Sequence, residues 1–221
     1  MAAARETGRG GSAPRTAPTP PSRTTVARSD GMALLEVLVG VTLASLLFVA
    51  AAPTFATLRS AGRTAAGARE IAITLQAQRW QSVATGRSHG LWFTTDARGW
   101  AWRVVRDGNG NGLRTAEVRD GTDAILSGPH RLEDRLAPTR LGLPTDGAIP
   151  EIPPRRGRIP SGTDPVQFGR TDLVSFSPQG TASSGTLYVT DGRDLFGIVL
   201  FGATARVRVW RYDGRAGRWR L

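Results

Sequence analysis

Few side chains in this sequence could perform catalysis or bind a metal. The 221-residue chain has no cysteine, and its two histidines are His89 and His130. A disulfide, a thiol-based metal or redox site and a histidine-rich metal site are therefore excluded. A hydrolase triad would have to combine Asp123, His130 and a nearby serine, and His130 lies in a proline-flanked loop where a histidine is usually solvated. These residues therefore predict no hydrolase site, and no cofactor is expected.

One segment is similar to the opening of a calcium-binding loop. In VRDGNGNGLRTAE, Asp107, Asn109 and Asn111 take the first three ligand positions, and Gly112 takes the turn position. The twelfth position requires a bidentate carboxylate, but Val118 occupies it. The pattern favours a turn between strands, because Asn-Gly tolerates a left-handed backbone, and a calcium site remains the weaker alternative.

Arginine supplies the positive charge of this chain, whose formal net charge is +11 with no lysine. Residues 203–221 hold six arginines against Asp213, with Trp210, Tyr212 and Trp219 between them. Arginine interleaved with aromatic residues suits a phosphate backbone with stacked bases. A solvated strand face, or contacts to acidic proteins or lipid headgroups, would explain the same pattern. The candidate DNA-binding residues are Arg206, Arg208, Arg215, Arg218 and Arg220.

Glu36 lies inside the apolar run Met32–Ala52, which it alone interrupts. At 1.5 Å per residue this run is long enough to cross a hydrocarbon core of roughly 30 Å. An isolated carboxylate costs about 2.5–3.5 kcal/mol there, so Glu36 is expected to have a cationic partner. The basic segment before the run predicts that residues 1–30 stay in the cytoplasm and that the rest lies outside it.

The elements after the apolar run are predicted from their periodicity. Beyond Pro53 the helical pattern continues to a stop at Gly86, with an apolar face at Phe55, Leu58, Gly62, Ala65, Ala66, Ile73, Trp80, Val83 and Ala84; Ile71 and Leu75 lie off it. Alternation predicts strands at His89–Thr94, Trp100–Arg106, Leu173–Ser177, Thr186–Thr190, Phe196–Phe201 and Ala205–Tyr212. The first two are expected to form a hairpin around the turn DARG. Residues 129–170, rich in Pro, Gly and Arg, are interpreted as a long surface loop.

Three interpretations of residues 1–53 are open. A cleavable secretory signal would explain the basic start and the A-x-A at 50–52, but Glu36 breaks its apolar core. A single-pass anchor would leave Glu36 without a role. Cleavage after Gly31 would make Met32 the new N-terminus, and its cationic α-amine would pair with Glu36 on the same or a neighbouring chain.

The sequence resembles a known family in several places. GMALLEVLV, residues 31–39, is similar to the class III signal of type IV pilins and type II secretion pseudopilins, which are cut after the glycine and carry glutamate at position five of the product. FSPQGTASSGTLYVT, residues 176–190, resembles the GspH/FimT family of minor pseudopilins. The closing strand is similar as well, with Ala-Arg-Val-Arg where that family has Gly-Arg-x-Arg, and residues 217–220 are a literal copy.

This resemblance implies an α+β, pilin-like fold, in which a long N-terminal α-helix packs on an antiparallel β-sheet. It implies a removed leader at 1–31, a helix at 32–86 with a transmembrane half at 32–52, and a periplasmic β-rich domain at 87–221 with a loop at about 129–170. Processing would occur between Gly31 and Met32, with N-methylation of Met32, and Glu36 would be an assembly contact.

The function expected from the resemblance is that of a non-enzymatic structural subunit of a type II secretion pseudopilus. Its partners would be other pseudopilins or pilins, prepilin peptidase and inner-membrane lipid. Its expected location is the bacterial inner membrane, as a single-pass protein with a periplasmic C-terminal domain. The alternative is a minor pilin of a type IV pilus that binds DNA through its arginine-rich C-terminal region during uptake.

Overall fold

The computed structural model of the chain describes residues 30–145 and 147–221, and within the first helix it describes side chains at 34–49 and from 62 onward. The helices are α1 Asp30–Thr85, α2 Thr115–Asp120 and α3 Glu133–Leu136. The longer strands are β1 His89–Asp96, β2 Gly99–Arg106, β3 Ala124–His130, β8 Leu173–Phe176, β9 Gly185–Thr190, β10 Leu195–Phe201, β11 Arg206–Asp213 and β12 Arg218–Arg220. Two-residue strands lie between them: β4 Arg140–Leu141, β5 Ile149–Pro150, β6 Arg158–Ile159 and β7 Val166–Gln167.

Helix α1 ends at Thr85, where Gly86 follows with a φ of +66°. Glycine adopts this left-handed conformation without the steric cost of a Cβ, and for that reason it commonly ends helices.

The chain separates into two compact units, Met1–Ala50 and Ala51–Leu221. Within the part of the chain that the structure describes, no helix combines the length and the apolarity required to cross a membrane. The predicted span, residues 32–52, extends beyond the described side chains at both ends.

All strand pairs of the two main sheets are antiparallel, so the structure confirms an α+β fold with antiparallel sheets. The first sheet has the order β3-β2-β1-β8, and the second has the order β12-β11-β10-β9-β4, with β7 also on β9. The predicted hairpin of β1 and β2 is present, with Asp96 opposite Gly99 across the turn. Strands β3 and β12 were not predicted from the sequence.

The main core lies between the second half of α1 and both sheets. Ala68, Ile71 and Leu75 of the helix are buried in one cluster with side chains from β1, β8, β9 and β10: Leu91, Phe93, Val174, Phe176, Leu187, Val189, Ile198 and Leu200. Burial of these apolar groups is the main favourable term in folding, at about 25 cal/mol per Å². The face of the second sheet toward this core is called the helix face below, and the opposite face is called the outer face.

The apolar face predicted for α1 is largely exposed, although Ala65, which belongs to it, packs against the main core. Ile73, Trp80 and Val83, which belong to that face, are 67%, 69% and 51% exposed, whereas Ile71 and Leu75, which lie off it, are fully buried. The helix has two apolar stripes, and the one that contains Ala68, Ile71 and Leu75 meets the sheets.

The interpretation of residues 129–170 as a surface loop also needs correction. This segment contains α3 and four short strands, and residues 147–160, called the covering segment below, lie on the outer face of the second sheet. Their buried residues Ile149, Ile152 and Ile159 form a second cluster with Tyr188, Leu195 and Trp219. Gly197 permits this contact, because a Cβ at that position would lie 2.3 Å from Ile152 Cδ1.

A pair of substitutions in α1 tests which stripe packs against the sheets. Leu75→Ala should lower the free energy of unfolding by about 2–5 kcal/mol, because it leaves a cavity in the core. Ile73→Ala, on the exposed stripe of the same helix, should change it by less than about 0.5 kcal/mol. Urea unfolding of the purified chain in neutral detergent, followed by tryptophan fluorescence, measures both. Equal losses for the two variants would contradict the observed packing.

Candidate functional site

The residues predicted to control processing and assembly lie at the start of α1. The leader before Asp30 and the side chains of Gly31 and Met32 are outside the described residues. Glu36 is described, and its side chain is exposed in the helix. The apolar residues that follow it are exposed as well: Val37, Leu38, Val39, Val41, Leu43, Leu46, Leu47, Phe48 and Val49. A carboxylate therefore lies among contiguous exposed apolar side chains, which is unusual for a surface that contacts water alone.

A second exposed apolar surface lies on α1 between residues 73 and 83. Ile73, Trp80 and Val83 form a stripe at helical spacing, and the guanidinium of Arg79 lies 6.0 Å from the ring centroid of Trp80. These side chains are on the helix side that faces away from the core. Large exposed apolar residues in a row are typical of protein contact surfaces. This stripe is named the α1 stripe.

The segment that resembles a calcium loop is organised by hydrogen bonds to its carboxylates. The buried carboxylate of Asp107 accepts hydrogen bonds from the N–H groups of Asn109, Gly110 and Gly112, at 3.1, 2.7 and 2.9 Å. The buried carboxylate of Asp123 accepts from the N–H groups of Gly108 and Arg114, at 3.1 and 3.0 Å. These bonds fix the conformation of the segment between β2 and β3, which also contains α2.

The two asparagines of this loop point to a carboxylate rather than to a common centre. The side-chain amides of Asn109 and Asn111 each donate to Glu117, both at 2.9 Å. A calcium site would require their oxygens as ligands. Among the described residues, no group of three or more histidine, aspartate or glutamate side chains is placed to hold a metal ion. The geometry supports the turn interpretation of Asp107, Asn109 and Asn111.

The residues considered for a hydrolase triad are not arranged as one. The carboxylate of Asp123 accepts hydrogen bonds from main-chain N–H groups between β2 and β3. His130 Nε2 lies 3.1 Å from Ser127 Oγ on an exposed strand, and in the described chain no carboxylate bonds the other ring nitrogen. His89 is buried next to Thr85, and burial, with a smaller effect from Arg106, lowers its pKa below the ordinary value.

The five arginines predicted to bind DNA do not share one face. Val207 and Val209 of β11 pack toward the main core, so alternation places Arg206 and Arg208 on the outer face. Asp213 of β11 lies opposite Arg218 of β12. Directly opposite residues share a face, and Arg218 and Arg220 therefore lie on the helix face.

Four arginines instead converge where two hairpin turns lie side by side. Arg193 in the β9–β10 turn, Arg215 in the β11–β12 turn, and Arg211 and Arg220 line one hollow of about 460 Å³. Arg211 donates to Asp194 at 3.0 Å, and Arg220 pairs with Asp213 at 2.7 Å. Arg193 and Arg215 make no ion pair within the described chain. This group is named the turn cluster. It includes Arg193, which was not predicted from the sequence, because the pairing of β10 with β11 brings the two turns together.

Asp213 holds the second turn of the turn cluster in place. Its Oδ1 accepts hydrogen bonds from the N–H groups of Ala216 and Arg215, both at 3.1 Å. The bond from Ala216 is the largest cause that lowers the pKa of Asp213, and the charge of Arg220 lowers it further. The carboxylate therefore stays ionised at neutral pH, and Arg215 projects from a turn of fixed conformation.

Comparisons of the chain with protein-family models, with curated proteins and with solved structures found no match. Sequence patterns and the geometry of the described residues are therefore the basis on which a function can be proposed.

The loop interpretation of Asp107 predicts a loss of stability that calcium does not influence. Asp107→Ala should lower the free energy of unfolding by about 2–3 kcal/mol, because buried N–H groups lose their acceptor. Asp120→Ala is the matched control, since this exposed carboxylate accepts one hydrogen bond, from Thr122 N–H, and its loss should cost less than about 1 kcal/mol. Thermal unfolding with calcium and with a chelator should give the same Tm for the wild type. A calcium-dependent rise in Tm that Asp107→Ala abolishes would show that the loop binds the ion.

Proposed function

We propose that this chain is a minor pseudopilin, a non-enzymatic structural subunit of a type II secretion pseudopilus. It is made as a precursor, cut after Gly31 by prepilin peptidase, and held in the bacterial inner membrane by residues 32–52. Its β-rich part is periplasmic. Its partners are other pseudopilins, the peptidase and inner-membrane lipid. The observation that carries this proposal is Glu36, a carboxylate among the exposed apolar side chains of a helix whose later part packs on antiparallel sheets.

The proposed role of Glu36 follows from its spacing. Residues four positions apart lie on the same side of a helix, so Glu36 is one turn from Met32. After cleavage, the α-amine of Met32 is a cation, and it remains one when it is methylated. A pair of opposite charges is much cheaper to place in hydrocarbon than either charge alone. Pairing between neighbouring subunits would fix the register of one helix against the next.

The α1 stripe supports assembly from the other end of the same helix. Trp80 and Ile73 are more than two-thirds exposed. A monomer gains little burial energy from these side chains. A subunit in a filament can bury them against a neighbour, and burial of an aromatic side chain is a large contribution to protein contacts.

Cleavage after Gly31 is the property that tests this proposal. Gly31→Val should leave the precursor uncut, because a peptidase that approaches the main chain closely does not accommodate a branched side chain at the cut. Gly40→Val is the matched control, since a Cβ at Gly40 in the same helix meets no atom within 4 Å. N-terminal sequencing of membrane fractions should find Met32 exposed in the wild type and the control. Met32 exposed in Gly31→Val, or an intact N-terminus in the wild type, would refute the assignment.

A second candidate function is that of a type IV pilus minor pilin that binds DNA during uptake. The turn cluster favours it, because Arg193 and Arg215 project from adjacent turns without an acidic partner in the described chain. Guanidinium groups bind phosphate with two parallel hydrogen bonds. The site has no element that would enter a DNA groove, so binding would depend little on base sequence.

The salt dependence of DNA binding separates the two functions. If four arginines contact phosphates, the slope of log affinity against log salt should be about −3 to −4 for double-stranded DNA. Changing Arg193 and Arg215 together to Gln should reduce the slope by about two, because two phosphate contacts are lost. Changing Arg206 and Arg208 to Gln, on the outer face, is the matched control and should leave it unchanged. Fluorescence anisotropy with the full mature chain in neutral detergent measures the slopes.

Two results would remove the DNA-binding candidate. One is a wild type that binds no DNA at low salt, which would leave the structural role. The other is a slope that changes with Arg206 and Arg208 but not with Arg193 and Arg215, which would move the contact away from the turn cluster.

A further inference from the structure

A cavity of about 360 Å³ lies on the outer face of the second sheet, where the covering segment ends. Strands β9 and β10 contribute Thr186, Tyr188 and Val199 to it, and the covering segment contributes Glu151 and Arg155. Small-molecule sites in proteins have this size or larger. The cavity is separate from the α1 stripe and from the turn cluster, and neither the structural role nor DNA binding uses it.

The hydroxyl of Tyr188 has no hydrogen-bond partner in the described chain. Tyr188 is 2% exposed, and its main-chain groups are satisfied, since its N–H donates to Pro165 and its carbonyl accepts from Gly142. Burial, with a smaller contribution from the carboxylate of Glu151, raises the pKa of Tyr188 to about 12, so the hydroxyl remains a donor at neutral pH.

Two opposite charges border the same cavity without neutralising each other. Glu151 and Arg155 form no ion pair with each other or with another side chain in the part of the chain that the structure describes. Both residues line the cavity together with Tyr188. The carboxylate of Glu151 lies against Gly157, where a Cβ would be 2.9 Å from Oε2. Residues that carry a carboxylate, a guanidinium and a phenol therefore line one space, and the charges of Glu151 and Arg155 shift the pKa of Tyr188 in opposite directions.

The remaining wall of the cavity is apolar. Ile152, Pro153 and Pro154 of the covering segment face Val199 and Phe201 of β10 across it. Val199 and Phe201 are half-buried. The covering segment packs on the other end of the outer face and leaves this end partly open. A ligand that fits must combine an apolar body with one positive and one negative group on a short frame.

We propose that this cavity binds an α-amino acid with an apolar side chain, as its zwitterion. The α-ammonium pairs with Glu151, the α-carboxylate pairs with Arg155 and accepts the hydroxyl proton of Tyr188 in a hydrogen bond, and the side chain lies against Val199 and the two prolines. Charge-assisted hydrogen bonds supply selectivity for the zwitterion, and the apolar wall supplies selectivity for the side chain. The proposal does not depend on the function proposed above.

The chain has two tyrosines, Tyr188 and Tyr212, which makes the site directly observable. Tyrosine labelled with ¹³C at Cζ gives two signals, and Tyr188→Phe assigns them. The full chain in neutral detergent is titrated with L-leucine. The Tyr188 signal should shift in a saturable way as its hydroxyl gains a partner, whereas the Tyr212 signal should stay, because Tyr212 lies outside the cavity.

Analogues test the recognition of each charge. Leucinamide lacks the carboxylate and N-acetylleucine lacks the ammonium, so each should bind at least about tenfold more weakly than L-leucine. Glycine, which lacks the apolar side chain, should also bind more weakly. Equal binding of leucinamide and L-leucine would overturn the zwitterion and point to a peptide N-terminus. Equal binding of N-acetylleucine would overturn it in favour of a peptide C-terminus.

Variants separate recognition from structural damage. Glu151→Gln and Arg155→Gln should each weaken L-leucine binding about tenfold, measured by the Tyr188 shift, and should leave the Tm unchanged because both side chains lie at the surface of the segment. Arg156→Gln, next to Arg155 but not in the cavity, is the matched control. A Tyr188 signal that L-leucine does not move, a Tyr212 signal that moves equally, or an unchanged affinity in both Gln variants would each overturn the proposal.

Discussion

The packing of one narrow stripe of α1 against two sheets is the interaction on which the rest of the structure depends. Ala68, Ile71 and Leu75 are the contact through which β1 and β8 of the first sheet share a core with β9 and β10 of the second. Neither sheet could bury its apolar face without α1, which covers both faces in one core. The opposite face of each sheet is solvated or covered only in part. This packing leaves Ile73, Trp80 and Val83 outside, so the internal packing of the protein also creates an exposed apolar surface.

Carboxylates organise the loops of this arginine-rich protein. Asp107 and Asp123 each accept several main-chain N–H groups and hold the segment between β2 and β3, and Asp213 does the same for the last hairpin turn. An ionised carboxylate is a strong acceptor, and several N–H donors directed at one group fix a turn firmly. These three acidic side chains are thereby committed to local structure. Arg193 and Arg215 have no acidic partner in the described chain, and both lie where two turns meet.

The surfaces that remain available are chemically distinct and spatially separate. The α1 stripe is apolar and suits a protein neighbour, the turn cluster is cationic and suits phosphate, and the cavity beneath the covering segment carries both charges beside an apolar wall. A scaffold subunit requires the first of these. The other two are additional features of this chain. The covering segment, part of residues 129–170, creates the cavity by packing on part of the outer face.

Local patterns in the sequence determined the hairpin at β1 and β2, the later strands β8 to β11, the helix stop at Gly86 and the unusual position of Glu36, because each depends on neighbouring residues alone. Strands β3 and β12 were missed, since short strands are stabilised by pairing with partners rather than by their own periodicity. The packed side of α1 was misassigned because the helix has two apolar stripes, and the position of the sheets decides which of them is buried. Arg193 was overlooked, and Arg206 was grouped with arginines of the opposite face, for the same reason: antiparallel pairing brings distant turns together and sends alternate residues to opposite faces. Tertiary structure alone placed Tyr188, Glu151 and Arg155 around one cavity, because segments far apart in sequence are folded onto the same sheet.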